Sequence, residues 1–205
     1  MKIIKNPSKN QLDDIINDLS DGGVIVYPTD TIYGIGADIH NQNAIMKVYD
    51  IKNRTYDKPL SVCVHDINQL KQVAQSNEVI DDMVNKLLPG PYTLLLKKKE
   101  GISDKLTANS DKIGVRIPDN RICSYLTKYY PITSTSANIS GKTTSDNIND
   151  IVNQLGDNIN CYIDAGILDN GSSTIIDLTT EYPSIIRKGV YDEKILNEIL
   201  EINLY

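Results

Sequence analysis

The sequence contains no phenylalanine and no tryptophan, so tyrosine supplies all twelve of its aromatic residues. The hydrophobic core must therefore be packed mainly by isoleucine, leucine and valine. Cysteine is also scarce. Cys63, Cys123 and Cys161 are odd in number and widely spaced, which argues against both a disulfide framework and a zinc knuckle. We predict that all three are buried and act as small hydrophobic side chains.

Long apolar runs and an excess of positive charge are absent as well. No segment approaches the length needed to span a bilayer, and the N-terminal residues lack the apolar stretch of a signal peptide. Lys and Arg number 21 against 27 Asp and Glu, which gives a formal net charge of −6. Duplex nucleic acid is therefore disfavoured as the main ligand, because affinity for the phosphate backbone comes from clustered cations. We expect a cytoplasmic protein that makes no membrane contact.

Short apolar runs alternate along the chain with segments of helical periodicity. A chain of 205 residues is long enough for one buried core and short for two, so we predict a single domain over residues 1–205. Helices are predicted over residues 9–21, with Ser8 as N-cap, and over 43–51, 67–75, 78–88, 121–129, 147–155 and 192–199. Strands are predicted over residues 24–27, 60–64, 93–96, 113–116, 132–134, 161–164, 174–177 and 184–187. Several strands follow one another with no helix between them, which indicates an α/β fold on a twisted, mostly continuous mixed sheet flanked by helices.

Two polar clusters about eighty residues apart carry the most chemical information. The first is cationic: Lys52 and Arg54 lie where a predicted helix ends, and Lys58 follows. The second, residues 134–138, reads Ser-Thr-Ser-Ala-Asn and offers small hydroxyl and amide groups where a strand ends. Cations and small donors brought together by folding can hold a polyphosphate and a small polar substrate. A solvated helix C-terminus would equally explain the Lys52–Arg54 pair taken by itself.

A third polar segment, residues 28–36, follows the predicted strand 24–27 and contains Gly34 and Gly36. These glycines would let the backbone approach a ligand closely, although a tight turn is the commoner explanation of a Gly-x-Gly sequence. Arg116 follows another predicted strand. Because ligands usually bind at strand ends in α/β sheets, we expect these segments to share a site.

Several familiar catalytic arrangements are excluded. The sequence Gly141-Lys142-Thr143 resembles the end of a P-loop, but the glycine required five residues earlier is Ser136. His40 and His65 have no partner at metal-ligand spacing, and no Gly-x-Ser-x-Gly nucleophile elbow is present. The remaining chemistry is catalysis by positioning and charge stabilisation, without a covalent nucleophile.

Taken together and in order, these segments resemble the YrdC-like family, whose characterised members are threonylcarbamoyl-AMP synthases. The matching segments are residues 27–36, 52–54 with 58–59, 88–93, 115–118, 134–141, 173–177 and 186–189. The match spans nearly the whole chain, and the combination of Lys-x-Arg with Ser-x-Asn is far more specific than any single piece. The resemblance implies the YrdC-like fold, which is shared with DHBP synthase.

The resemblance also implies a nucleotidyltransferase that makes threonylcarbamoyl-adenylate and pyrophosphate from L-threonine, bicarbonate and ATP. The product would pass to a tRNA threonylcarbamoyl transferase complex, for the threonylcarbamoyladenosine modification of tRNA. Mg²⁺ is expected as counter-charge to the phosphates, with no dedicated protein metal site.

By position in the matched segments, nine residues receive roles from the resemblance. Five would contact ATP, and two of these, Lys52 and Arg54, would be catalytic. The implied ATP contacts are Lys52, Arg54, Lys58, Asn138 and Arg187. The implied threonine pocket consists of Thr31, Arg116, Ser136 and Ser173. Arg116 would pair with the carboxylate of the amino acid as a bidentate fork.

Two alternatives stay open at the level of the sequence. The same basic concavity could serve an RNA-binding module, whose affinity would fall steeply with added salt, so weak RNA binding is a further expectation. A paralogue could instead keep the adenylating chemistry and act on a different carbamoylated amino acid.

Overall fold

The computed structural model describes the backbone of residues 1–201 and the side chains of residues 1–198. The strands are β1 (Lys2–Lys5), β2 (Ile25–Tyr27), β3 (Gly34–Gly36), β4 (Ser61–Cys63), β5 (Tyr92–Lys97), β6 (Lys112–Arg116), β7 (Ile132–Ser136), β8 (Cys161–Asp164), β9 (Thr174–Asp177) and β10 (Ser184–Arg187). The α-helices are α1 (Lys9–Ser20), α2 (Gln42–Ile51), α3 (Ile67–Val73), α4 (Glu78–Leu87), α5 (Asp104–Thr107), α6 (Arg121–Leu126), α7 (Ile148–Leu155) and α8 (Glu193–Glu201). A 3₁₀ turn at Gly156–Asn158 follows α7.

All ten strands form one sheet in the order β1-β8-β2-β3-β7-β4-β6-β5-β9-β10. The pairs β1–β8, β2–β8, β4–β6 and β5–β9 are parallel, and the other pairs are antiparallel. The predicted mixed α/β sheet is therefore confirmed. None of the helices within residues 1–201 is both long and apolar enough to cross a membrane.

Most helices begin where a polar side chain caps them. Ser8 forms a capping box with Gln11 at the start of α1, and each side chain bonds the backbone N–H of the other. Asn41, Asn77 and Asn147 accept backbone N–H groups at the starts of α2, α4 and α7. These caps satisfy donors that the helix itself leaves unpaired, which is why the helix starts follow closely from the sequence.

The core lies on both faces of the sheet. In β2 and the residue before it, Val24 and Val26 pack into one hydrophobic cluster, whereas Ile25 and Tyr27 pack into the other. This alternation follows from the two-residue period of a strand. The three cysteines are buried, as predicted. Isoleucine, leucine, valine and tyrosine supply most of the buried apolar residues.

Three elements were not predicted, and the helices predicted over 67–75 and 121–129 end two and three residues earlier than expected. β1, β3 and α5 have sequences too short or too polar to give a periodic signal. The predicted helix 121–129 ends at Leu126, where the hydroxyl of Thr127 donates to the carbonyl of Cys123 over 2.8 Å. Pro131 lies five residues after Leu126 and disfavours helical geometry at the residue before it.

The tight turn expected from Gly34 and Gly36 is instead a buried strand between β2 and β7. Its glycines leave room for the ring of Tyr27. A Cβ atom at Gly36 would lie 2.9 Å from a ring carbon of Tyr27 and 3.1 Å from the δ-methyl of Ile132. The Tyr27 hydroxyl donates to the carbonyl of Thr133 over 3.1 Å, so the ring is tied to β7 and has little freedom to move.

Gly36→Ala should therefore destabilise the protein by about 1–3 kcal/mol, because an extra methyl group is forced into a filled core. Urea unfolding monitored by circular dichroism would measure the loss. Ser184→Ala, at an exposed position of β10, is the control and should change stability by less than about 0.5 kcal/mol. Equal stability of the Gly36→Ala variant and the native protein would contradict this account of β3.

Candidate active site

A cavity of about 340 Å³ opens where strands from the middle of the sheet meet the loops after β2 and α2. Pockets of larger volume exist elsewhere, including one of about 500 Å³ between α4 and the turn after β9. The smaller cavity is distinguished by its chemistry, because it brings together three arginines and several hydroxyl groups. Its lining consists of Ile32, Tyr33, Gly34, Arg54, Pro59, Ser61, Thr93, Leu95, Arg116, Ser134, Thr135, Ser136, Ser173, Ile175, Ile186 and Arg187.

Two of the three arginines form their hydrogen bonds with uncharged carbonyl and hydroxyl groups. Arg54 donates from Nε to the carbonyl of Lys58 over 3.1 Å and from Nη2 to that of Pro59 over 2.9 Å. Arg187 donates from Nη2 to the carbonyl and the hydroxyl of Ser173, over 2.7 and 3.1 Å. Burial and the nearby charge of Arg116 both lower the pKa of Arg187. An anion between Arg116 and Arg187 would relieve that repulsion.

The third arginine, Arg116, is buried and already holds an anion. Its Nη2 donates to Asp30 Oδ1 over 2.8 Å and to the Thr31 hydroxyl over 2.9 Å. Burial raises the pKa of Asp30, and the charge of Arg116 opposes that rise. The Nε of Arg116 is buried and has no hydrogen-bond partner among the described residues. At least one donor of this guanidinium is thus unsatisfied in the described part of the chain.

Lys52 lies behind the cavity wall. Its side chain is only 1% exposed, and its ammonium donates to the Ser136 carbonyl, to the Asn138 carbonyl over 2.7 Å and to Asn138 Oδ1 over 3.2 Å. The Ser140 amide in turn donates to the Lys52 carbonyl over 2.7 Å. Lys52 therefore joins the end of α2 to the segment that follows β7.

The amide of Asn138 is also used inside this segment. Its Oδ1 accepts from the Ser136 hydroxyl over 2.5 Å, and its Nδ2 donates to the carbonyls of Ile139 and Lys142. These bonds fix the turn that positions Ser136 in the cavity wall. On the opposite wall, the hydroxyls of Ser173 and Thr93 lie 2.9 Å apart.

Of the nine residues singled out from the sequence, five line the cavity: Arg54, Arg116, Ser136, Ser173 and Arg187. The other four do not. Lys52 and Asn138 support the wall from behind, Thr31 is a buried partner of Arg116, and Lys58 is exposed in the loop that Arg54 ties. The solvated helix end that could have explained Lys52 is wrong, because that side chain is buried.

Sequence reasoning missed Asp30 as the ion-pair partner of Arg116, and it missed two hydroxyl residues of the lining, Ser61 and Thr93. Asp30 follows the same predicted strand as Thr31, but nothing local shows that Arg116, 86 residues away, would face it. These two hydroxyls belong to strand segments whose apolar neighbours dominate the pattern.

The cavity can bind anions. Three guanidinium groups surround it, and none of the described residues that line it is acidic. Guanidinium groups bind phosphate and carboxylate oxygens through paired, charge-assisted hydrogen bonds. The lining also includes no cysteine or histidine, which agrees with chemistry by positioning and charge stabilisation.

The mixed sheet and this cavity define an α/β protein with an arginine-rich cavity. The chain belongs to the Sua5/YciO/YrdC family, because the family model described as telomere recombination matches residues 17–189. The resemblance inferred from the sequence is thereby confirmed.

Relatives of known sequence and structure agree with this assignment. A Methanocaldococcus jannaschii protein provisionally named threonylcarbamoyl-AMP synthase is 39% identical over 183 residues, which cover 89% of this chain and 87% of that protein. A Pyrococcus abyssi threonylcarbamoyl-AMP synthase is 33% identical over 189 residues, which cover 88% of this chain and 56% of that protein. This chain therefore spans little more than half the length of the Pyrococcus relative.

Two solved structures match the fold closely. Pyrococcus abyssi Sua5 complexed with L-threonine superimposes with a TM-score of 0.91 at 28% identity, over 97% of this chain and 60% of that one. Escherichia coli YciO superimposes with a TM-score of 0.85 at 29% identity, over 95% of this chain and 97% of that one.

Replacing Lys52 should destabilise the fold. Lys52→Met keeps the length of the side chain but leaves the Asn138 carbonyl without its donor and removes one of the two donors to the Ser136 carbonyl, so we expect a loss of about 1–3 kcal/mol in urea unfolding. Lys58→Met is the matched control, since Lys58 is exposed, and it should stay within about 0.5 kcal/mol of the native protein. Equal stability of the two variants would contradict the supporting role of Lys52.

The stability difference between the native protein and Lys52→Met should also depend on pH. Burial, with the charge of Arg54, lowers the pKa of Lys52 to about 7. Above that pH, and up to the ordinary lysine value of about 10.5, the unfolded chain binds more protons at Lys52 than the folded protein does. The stability advantage of the native protein should therefore grow from about pH 7 to about pH 9. A constant difference would mean that folding leaves the pKa of Lys52 unshifted, a shrinking one would mean that folding raises it, and either result would contradict this account.

Proposed function

We propose that this chain is a threonylcarbamoyl-AMP synthase, which converts L-threonine, bicarbonate and ATP into threonylcarbamoyl-adenylate and pyrophosphate. The observation that carries the proposal is the cavity itself, with three guanidinium groups and a lining free of acidic side chains among the described residues. A relative that covers most of both chains bears the name of this activity, and a structural neighbour was solved with L-threonine.

The residues divide between the two substrates. We assign the ATP phosphates to Arg54 and Arg187, whose charges are not paired with a carboxylate at hydrogen-bond distance in the described part of the chain. Lys58, exposed in the loop that Arg54 ties, adds positive charge next to Pro59 of the lining. Lys52 and Asn138, expected from the resemblance to contact ATP, support the wall from behind in the structure without ligand, so we assign them to ordering Ser136.

We assign the threonine side of the cavity to Arg116, Ser136 and Ser173, with Thr31 holding Arg116 in place. The unpartnered Nε of Arg116 offers a donor to the amino-acid carboxylate. Small hydroxyls nearby can pair with the polar groups of threonine.

The reaction follows from bringing two anions together. The amine of threonine attacks bicarbonate carbon, and loss of water leaves a carbamate. A carbamate oxygen then attacks the α-phosphorus of ATP, and pyrophosphate leaves. Both partners of the second step are negatively charged, so guanidinium groups on two sides of the cavity lower the repulsion and fix the attack geometry.

Mg²⁺ is proposed to enter with ATP. Within residues 1–201 no group of three or more His, Cys, Asp and Glu side chains is arranged to hold a metal ion, so phosphate oxygens and water would supply most of its ligands. When bound, the ion would neutralise charge on the phosphates.

We further propose that residues 1–205 act as one domain in the cytoplasm and pass the product to a tRNA threonylcarbamoyl transferase complex. Weak RNA binding stays a prediction. An alternative is a paralogue that adenylates another carbamoylated amino acid. It is favoured by the similarity to Escherichia coli YciO, an uncharacterised relative that this chain matches over nearly its whole length.

Pyrophosphate release from ATP tests the proposal. We expect release that requires both L-threonine and bicarbonate, and we expect Arg54→Gln to raise the KM for ATP at least about tenfold through loss of a charge-assisted contact. Arg121→Gln is the control and should leave the kinetics unchanged, because Arg121 lines a separate pocket together with His65. Release that ignores threonine would overturn the assignment, and release that depends on another amino acid would favour the paralogue.

A further inference from the structure

A chain of hydrogen bonds on the cavity wall runs from Arg187 through Ser173 to Thr93. The Arg187 guanidinium donates from Nη2 to the Ser173 hydroxyl over 3.1 Å, and the hydroxyl oxygens of Ser173 and Thr93 lie 2.9 Å apart. Thr93 and Ser173 are buried, and all three side chains line the cavity. Within residues 1–198, Ser173 is the one hydrogen-bond partner of the Thr93 hydroxyl.

The two hydroxyl groups together have one proton more than their mutual contact uses. A guanidinium can only donate, so the Ser173 oxygen accepts from Arg187, and a single proton serves the bond between Ser173 and Thr93. The bond from a cation polarises the Ser173 hydroxyl and makes it the better donor, which favours the direction from Ser173 to Thr93. The Thr93 hydroxyl then keeps one proton and one lone pair for a ligand.

Apolar side chains flank this hydroxyl group. Leu95 lies on the same face of β5 as Thr93, and Ile175 lies opposite Thr93 on β9. Both line the cavity and are only partly buried. A Cβ atom at Gly114 of β6 would lie 3.3 Å from Thr93 Cγ2, so the methyl group of Thr93 points towards β6 and its hydroxyl towards Ser173. The orientation of the hydroxyl is therefore fixed by packing on one side and by a hydrogen bond on the other.

The ligand group that complements this wall is an alcohol next to a methyl group. A hydroxyl group both accepts and donates, and it can therefore use the free proton and the free lone pair of Thr93 together. The methyl group would contact Leu95 and Ile175, where burial of apolar surface is favourable. Among the common amino acids, threonine has these two groups on one carbon, serine lacks the methyl group, and valine has a second methyl group in place of the hydroxyl.

We propose that Thr93 is a specificity-determining residue of the cavity, whose hydroxyl contacts the side-chain hydroxyl of the amino-acid substrate. Leu95 and Ile175 contact the methyl group of that side chain, and Ser173 and Arg187 orient the Thr93 hydroxyl. This inference rests on the proposed function and deepens it, because it names the part of the wall that distinguishes threonine from similar amino acids. An amino acid without the hydroxyl leaves a buried polar group unpaired, which disfavours its use.

Substrate analogues test the proposal on the native protein. Pyrophosphate release is measured with L-threonine, with L-valine and with L-allo-threonine, in which the hydroxyl and methyl groups exchange positions. We expect kcat/KM for threonine to exceed that for each analogue at least about tenfold. Native protein that uses threonine but uses either analogue equally well would overturn the role of Thr93. Native protein whose pyrophosphate release depends on no amino acid would overturn the proposed function itself.

Two variants then locate the discrimination at the Thr93 hydroxyl. Thr93→Val keeps the shape of the side chain, and we expect the ratio of kcat/KM for threonine to that for valine to fall at least about tenfold while the KM for ATP stays within about twofold. Thr93→Ser keeps the hydroxyl and should hold the ratio within about threefold of the native value. Thr180→Val, the same change at an exposed position in the turn after β9, is the matched control and should leave the ratio unchanged.

Three results with the variants would overturn the role of Thr93 and leave the proposed function standing. The first is an unchanged ratio in Thr93→Val. The second is an equal fall of the ratio in Thr93→Ser, which would show that the hydroxyl is not its source. The third is a parallel rise of the KM for ATP in Thr93→Val, which would indicate a general distortion of the cavity.

Discussion

The cavity depends on the tie between Lys52 and the segment that follows β7. One buried ammonium group meets two backbone carbonyls and the amide oxygen of Asn138, and the carbonyl of the same lysine receives the Ser140 amide. Without these bonds, a polar segment would lie against the end of α2 with the carbonyl of Asn138 unpaired, which is costly in a buried position. Ser136 faces the cavity because this tie fixes the turn around it.

The position of Lys52 also explains how Lys52 and Arg54, two cations close in sequence, can have different roles. Lys52 is the C-cap residue of α2, and its side chain turns inward beneath the wall. Arg54 follows a residue with positive φ, Asn53, where the chain leaves the helix direction and carries Arg54 to the cavity. Because of this change of direction, Lys52 stabilises the fold whereas Arg54 lines the cavity, where it can contact a ligand.

Much of the fold could be predicted because apolar runs and helix-capping residues, which indicate strands and helices, are local features of the sequence. The strands 161–164, 174–177 and 184–187 have the bounds that their apolar runs indicate, and the capped helices start within one residue of the expected positions. β3 could not be predicted, since a Gly-x-Gly sequence has no side chains to show a period. It is a strand because the ring of Tyr27 covers Gly34 and Gly36 and because β7 supplies a hydrogen-bonding partner.

The sequence by itself determined the mixed α/β class, the burial of the cysteines, the family and the residue types of an anion site, because each follows from local pattern or from motifs read in order. Tertiary structure alone decided which of those residues reach the cavity. It turned Lys52 and Asn138 into supports, left Arg54 and Arg187 without a salt bridge among the described residues and paired Arg116 with Asp30. The physical reason is that the pairing of charges depends on contacts between segments more than eighty residues apart. Such contacts do not appear as a periodic pattern in the sequence.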